Sequence, residues 1–451
     1  MMSACDSLDL RYLEFVGRTA DVFVRFPQLE PLRHFLFREM LVQRHEVGLL
    51  NGVKYAMQRA WHGKKIRGFQ EQSEVLIWLE STREVIADTL LPVHRELVSR
   101  GVKVQLVSYG GPNELPPSTL PFQYRPYLLA PEWTRQAWGD LCLILEELRG
   151  RGLYRSFHHA CATVDGLFYA IQKLLDIIQP KVVLCAATNF IGGAAVTIAS
   201  SWKGCRPVLL QHGMTQAFYT PLISEYMVTW GPSSNNTLAS LGIPINRLLP
   251  LGSPRHDSMR PPANDEARQS LLQALALPDK PTFVFFSNGN DLLRNGKAPL
   301  ECATWLEEAA ATNRDSLNIV VRLHPNEDGR IYKDCPHVTV TKETPDLAST
   351  LGGCDVVGSL CSTVLYDALL YQKPVLQFYR DGWPDLADNW KDKYSMRIMS
   401  SAHLTEVLKS FRPGSEEYKG IIREQQEKIP TVFANHGSAG KAIADYVIQN
   451  L

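Results

Sequence analysis

Two histidines in this sequence stand at the ends of apolar runs, where a side chain can meet a ligand. Pro207-Val208-Leu209-Leu210 leads into Gln211-His212-Gly213, and Val320-Val321-Arg322-Leu323 leads into His324-Pro325. Gly213 lets the backbone turn sharply beside the first histidine, and Pro325 cannot continue a strand ladder after the second. A third place, Asp355-Val356-Val357-Gly358-Ser359-Leu360-Cys361-Ser362-Thr363, runs into the apolar-faced segment 364–370. It reads as strand, small-residue loop, then a helix whose first turn carries two hydroxyls. Such a helix start holds anions, and the dipole alone contributes up to about 2 kcal/mol. A fourth candidate, Glu80, directly follows the apolar run 74–79. Glu80 and His212 are the candidate general bases, a role worth about 10²–10⁴-fold. Each residue also has a plainer reading: a satisfied structural histidine, a pair of capping hydroxyls, an acid beside Ser81 at the start of the following helix. Their shared placement at strand ends favours one site.

The elements that must position them form two series. Residues 9–67 read as helical, with Leu32, Phe35, Leu36, Met40 and Val47 at helix-like intervals. Short buried strands are expected at 74–79 and 102–107, joined by a helix that ends at Gly101. This is a βαβ unit and implies a parallel sheet. Further strands are expected at 181–185, 207–210 and 226–230, after a helical region at 133–178. Gly252-Ser253-Pro254 through Pro261-Pro262 interrupts the series. A second series follows at 282–286, 319–323, 338–341, 355–358 and 374–378, and a last helix at 437–449. In open parallel sheets, ligands lie outside the carboxyl ends of the strands.

The 451 residues imply two to three domains. Hydrophobic residues at 45% and charged residues at 21% exclude wholesale disorder, collagen-like and coiled-coil classes. The 47 basic and 47 acidic residues cancel, which argues against nucleic acid as a partner over the whole surface. The nine cysteines are scattered without a CxxC, the usage of a reducing compartment. MMSACDSLDL lacks the features of a secretory signal. The uncharged stretch 182–202 is long enough for a membrane span, but Asn189, Gly192 and Gly193 divide it into strand, turn and helix. A cytoplasmic location is expected. The zero total is uneven, since residues 31–70 carry eight basic and two acidic residues, leaving −6 for the rest. The two readings are a helical layer with a solvated basic face, and a peripheral contact with the anionic inner face of the plasma membrane or with an anionic glycan.

Gln211-His212-Gly213, Gly252-Ser253-Pro254-Arg255-His256-Asp257, Arg322-Leu323-His324-Pro325 and Ser362-Thr363-Val364-Leu365-Tyr366-Asp367-Ala368-Leu369, followed by Lys373-Pro374-Val375, together resemble bacterial surface-polysaccharide glycosyltransferases. The motifs are most similar to CMP-sugar users (capsular Kdo transferases, sialyltransferases, polysialyltransferases), and in outline to CDP-glycerol glycerophosphotransferases. The resemblance runs over roughly residues 74–445. It implies an α/β fold of GT-B type, two Rossmann-like domains facing across a cleft with an N-terminal helical extension. The corresponding expected boundaries are 1–70 (extension), 71–255 (acceptor domain), 256–430 (nucleotide-donor domain) and 431–451 (a helix crossing back to the first domain).

The activity it implies is transfer of a sugar from a nucleotide-activated donor, such as CMP-Kdo or CMP-sialic acid, to a cell-surface glycan or glycolipid acceptor. His324, Ser362 and Thr363 would hold the nucleotide phosphate, and Asp367, where relatives more often carry glutamate, the ribose hydroxyls. Arg322 and Gly289 complete the donor-side set. In the glycerophosphotransferases the histidine of a similar His-Gly motif is implicated, which favours His212 as base over Glu80. Asp257 is expected to be structural, binding Arg255. No GxGxxG, P-loop, HExxH or DxD occurs, so no cofactor and no metal are expected. The alternatives are a non-hydrolysing UDP-sugar 2-epimerase, a CDP-glycerol-type polyol-phosphate transferase and a catalytically silent binding module.

Overall fold

The computed structural model describes residues 4–25, 27–34, 36–37, 72–80, 84–109, 119–121, 157–262, 265–288, 297–381, 383, 395–410 and 412–451. Two compact units emerge: residues 10–257 with 434–451, called the first unit below, and residues 1–9 with 258–433, the second.

The first unit takes in most of α1 (Ala4–Arg25), then β1 (Val75–Leu79), α2 (Glu84–Ser99), β2 (Val104–Ser108), β3 (Leu120–Pro121), α3 (Phe157–Ile178), β4 (Val182–Cys185), α4 (Ile191–Trp202), β5 (Arg206–Leu210), β6 (Tyr226–Val228), α5 (Pro232–Ser240) and β7 (Leu248–Leu249). Its strands pair in parallel in the order β3-β2-β1-β4-β5-β6-β7. Every residue of β1 and β4 is buried, because a parallel sheet covered by helices on both faces needs unbroken apolar strands rather than alternating ones. Ile86, Leu90, Val93 and Leu97 of α2 join the core on one face. The helix α4 is made of small residues and is buried from Gly192 to Ser200, which lets it lie close to its neighbours. The stretch 182–202 is thus strand, turn and helix, and among the described residues no helix is long and apolar enough to cross a membrane.

The described residues from Tyr12 to Phe37 pack within this unit. The Tyr12 hydroxyl donates to the Thr220 carbonyl oxygen at 2.9 Å, and its ring meets Phe37 and Phe218. Arg33, one of the eight basic residues in 31–70, is only 3% exposed. It pairs with Glu30 and stacks 3.8 Å over the Phe23 ring, so it belongs to the interior and not to a basic outer face. The other seven basic residues of that segment lie outside the described residues.

Between Asp257 and Ser258 the chain passes into the second unit, and it returns between Phe433 and Ala434. The returning helix α12 is named after its predecessors: α6 (Glu266–Ala274), β8 (Thr282–Phe286), α7 (Ala298–Asn313), β9 (Asn318–Arg322), β10 (Thr339–Thr341), α8 (Leu347–Gly353), β11 (Val356–Ser359), α9 (Val364–Leu370), β12 (Val375–Phe378), β13 (Met396–Ile398), α10 (Ser401–Ser410), α11 (Glu416–Val432) and then α12 (Ala439–Gln449). Ile443, Ala444 and Val447 of α12 enter the first unit's core. The Asp257 carboxylate accepts the N–H groups of Ala439 and Gly440 at 2.9 Å each. It therefore caps the positive end of α12, a structural task different from the Arg255 pairing expected from sequence. Gly252 has φ +101°, and a Cβ there would overlap the Ala434 carbonyl, so only glycine fits where the two chain segments meet.

In the second unit the order is β10-β9-β8-β11-β12-β13, again all parallel. The Phe378 ring lies between Phe283, Phe285 and Trp305 at centroid distances of 6.5, 4.7 and 5.8 Å. Such a buried aromatic cluster holds β8, β12 and α7 together.

Candidate functional site

Each sheet reverses its strand order once, and ligands of open α/β sheets lie at that reversal, beyond the strands' carboxyl ends. In the second unit the reversal falls between β8 and β11, with β9 beside β8. The residues that follow these three strands are Ser287-Asn288, the 360–363 loop and His324. They are stapled together. Asn288 Nδ2 donates to the Cys361 carbonyl oxygen at 2.8 Å, and the Ser359 hydroxyl donates to the Phe286 carbonyl oxygen at 2.7 Å. Ser287 Oγ accepts the His324 N–H at 2.9 Å and donates its own proton to the Glu327 carboxyl. The Asn326 N–H donates to His324 Nδ1 at 3.2 Å, so the neutral ring carries its proton on Nε2.

Ser362 and Thr363 are half-buried at the start of α9. Ser362 Oγ accepts the Val364 N–H at 3.3 Å. Thr363, at the cap position, makes no side-chain cap bond. The loop therefore presents hydroxyls beside a helix start, on the same sheet edge as His324.

One further residue of the donor-side set is engaged elsewhere. The Arg322 guanidinium is spent on its own unit, donating to the Pro345 carbonyl oxygen and to Thr350 Oγ1, the latter at 2.9 Å. Burial lowers its pKa, with Asp346 and Glu343 opposing. Asp367 sits in the first turn of α9 and is 1% exposed. Gly289 lies outside the described residues.

In the first unit the reversal falls between β1 and β4. Here the position outside the strands is filled from within. Glu80, immediately after β1, turns its carboxyl onto the start of α4, the helix that follows β4. Its Oε1 accepts the Gly192 N–H at 3.0 Å, and its Oε2 accepts the Trp78 indole N–H at 2.7 Å. The helix has Phe190 at its cap position and no side-chain cap of its own, so Glu80 performs that task from 112 residues away. Both glycines are required by this fit: a Cβ on Gly192 would overlap the Glu80 carboxyl, and one on Gly193 the Ala187 carbonyl oxygen. Burial pushes the Glu80 pKa to about 8 despite the Trp78 and Gly192 donors, which lower it. Burial, and secondarily the Glu80 charge, raises Tyr109, whose ring stacks on Trp78, to about 12. Glu80 thus caps α4, not the helix that follows it in sequence.

His212 follows β5, on the far side of β4 from β1. Two inter-strand steps separate the Glu80 and His212 strands by about 10 Å. Gln211 fixes the turn. Its Oε1 accepts the Trp230 N–H at 2.9 Å and its Nε2 donates to the Gly213 carbonyl oxygen at 2.8 Å. The Tyr219 ring lies 6.5 Å from the half-buried His212 ring, edge-on.

Ser287, Asn288 and Glu327 were not singled out by sequence. Ser287-Asn288 directly follow the expected strand 282–286, so the strand-end rule that found the histidines also reaches them. Glu327 carries no such signal. Among the described residues no group of three or more His, Cys, Asp or Glu could hold a metal ion. A cavity of about 780 Å³ lined by Pro281, Asp355, Lys409 and Arg412 opens where β8 and β11 begin, at the opposite edge from His324.

No protein-family model matches the sequence, and no curated protein matches it. Solved structures do. The Anabaena protein HepE in complex with UDP and glucose aligns with TM-score 0.54 at 11% identity, over 84% of this chain and 100% of that one. The Methanocaldococcus jannaschii UDP-GlcNAc 2-epimerase, in complex with UDP-GlcNAc and UDP, gives 0.54 at 13% identity, over 83% and 99%. The wall teichoic acid polymerase TagF soaked with CDPG gives 0.50 at 12% identity, over 93% and 96%. At these identities the likeness shows the fold: α/β, with two Rossmann-like units, of the GT-B class.

Proposed function

We propose that this chain is a transferase that takes a nucleotide-activated donor on its second unit and passes the activated group to a hydroxyl acceptor. The observation that carries the reading is the contrast between the two strand-order reversals. The first unit's is occupied by its own Glu80 carboxyl, while at the second unit's Ser362 and Thr363 stand at a helix start and His324 follows a neighbouring strand. A phosphate bound there would receive the His324 Nε2 proton and the two hydroxyls. As the donor bond breaks, negative charge grows on the leaving nucleotide, and donors already aimed at that position lower the barrier.

His212 is the base in this reading, because the Glu80 carboxyl is committed to α4. Arg322 is left out of the chemistry, its guanidinium being tied to Pro345 and Thr350. The finer reading is a CMP-sugar donor, a cell-surface glycan acceptor and a metal-independent reaction, supported by the motif resemblance alone. HepE and the epimerase were solved with UDP, which favours UDP as the competing nucleotide.

A thermal-shift panel of CMP, CDP, UDP, GDP and TDP separates these. A ligand at about 100 times its Kd stabilises the folded state by roughly 2.7 kcal/mol. Stabilisation by CMP supports the CMP-sugar reading, and stabilisation by UDP alone moves the donor to a UDP-sugar. No response to any of the five overturns the nucleotide reading.

A further inference from the structure

We propose that Glu327 is a positioning residue, acting with Ser287 to hold His324 in the geometry that presents its Nε2 proton to a ligand. The proposal rests on the reading of His324 as a nucleotide-phosphate donor. The loop His324-Pro325-Asn326-Glu327 leaves β9 with its middle exposed, yet Glu327 folds back and is only 7% exposed. Burying a carboxyl is costly unless it is hydrogen-bonded, and its partners here are few and specific. The Ser287 hydroxyl donates to it, and Ser287 Oγ in turn accepts the His324 N–H.

The bonds converge on one residue. The His324 N–H is held by Ser287, the His324 carbonyl oxygen accepts the Glu327 N–H at 2.8 Å, and Nδ1 accepts the Asn326 N–H. With backbone and ring both fixed, the neutral imidazole has one tautomer and its proton lies on Nε2. Ser287 has a single hydroxyl proton. Because the Glu327 carboxyl takes it, the Ser287 oxygen is oriented to accept from His324. Removing the carboxyl frees that proton to turn, and the hydroxyl no longer selects one orientation. Glu327 makes no contact with the ligand in this arrangement, and its effect passes through Ser287 and the loop.

The test has two readouts on the full chain. Histidine ring ¹⁵N spectra report the His324 tautomer, with its signals assigned by their loss in His324→Gln. Titrations with CMP and UDP report binding. Glu327→Ala and Ser287→Ala are each expected to replace the single Nε2-protonated form by a tautomer mixture and to weaken nucleotide binding about tenfold. The double variant should be no worse than either single one, since both remove the same link. Glu327→Gln, whose amide oxygen still accepts the Ser287 proton, should restore both signals. Unchanged His324 signals in folded Ser287→Ala overturn the proposal, and Ser287→Ala serves because it deletes only one oxygen. If the tautomer responds as expected while CMP and UDP bind no form of the protein, the positioning network stands and the nucleotide reading falls.

Discussion

The two units share a topology, and they treat the same place in it oppositely. Both sheets are parallel with one reversal of strand order, β1/β4 in the first unit and β8/β11 in the second. At the first reversal a carboxyl from β1 sits on the start of the twelve-residue helix α4 and accepts the Gly192 N–H. At the second, the residue after β8 is Ser287, the loop after β11 offers the hydroxyls of Ser362 and Thr363, and the neighbouring β9 leads to His324. The lesson is about exclusion. A buried carboxyl that already accepts the N–H at a helix start leaves that donor unavailable to a phosphate, so a fold with two equivalent crevices directs an anionic ligand to the other one.

The sharpest way to break this contrast is at Gly193. A Cβ there has no room against the Ala187 backbone, and overpacking a rigid site costs about 1–3 kcal/mol or more. Gly193→Ala should therefore lower the unfolding midpoint strongly, as read by thermal denaturation. A neutral effect would mean that α4 is not seated on Glu80 and Ala187 as described.

A second test uses pH. The Glu80 pKa is raised from 4.5 to about 8 on folding. The folded state thus holds a proton that the unfolded state releases, and its contribution to stability is full below pH 4.5 and is lost as pH rises through 8. Urea unfolding across pH 5–8 should show stability falling in the wild type and a flatter profile in Glu80→Gln, which has no proton to lose. Parallel profiles would contradict the buried-carboxyl account.

Much of this was legible in the sequence because the strands are buried on both faces. The run Thr282–Phe286 reads as a strand with the limits it adopts, and the strand-end histidines follow from it. The two-residue strands β3 and β7 and the three-residue β13 are too short for any pattern and were not foreseen. Glu80 was visible as a strand-end acid, yet its partner lies on a helix 112 residues away. The pair Gly192-Gly193 reads as a break between strand and helix, and its close fit to the Glu80 carboxyl and the Ala187 carbonyl shows only in the fold. Arg322 lies two residues before His324 in sequence, yet its guanidinium is taken by Pro345 and Thr350, partners that the strand pattern does not announce. Glu327 owes its role to a backward fold of a loop, which no periodicity encodes.

The central claim, that a nucleotide is held at the second reversal and not the first, is tested most directly by isothermal titration of the stabilising nucleotide into wild type, His324→Ala and Glu80→Gln. Loss of a charge-assisted hydrogen bond of about 1.5–3 kcal/mol predicts binding weakened about ten- to two-hundredfold in His324→Ala, with Glu80→Gln binding as wild type does. Equal affinity in wild type and His324→Ala, or a loss confined to Glu80→Gln, would contradict it.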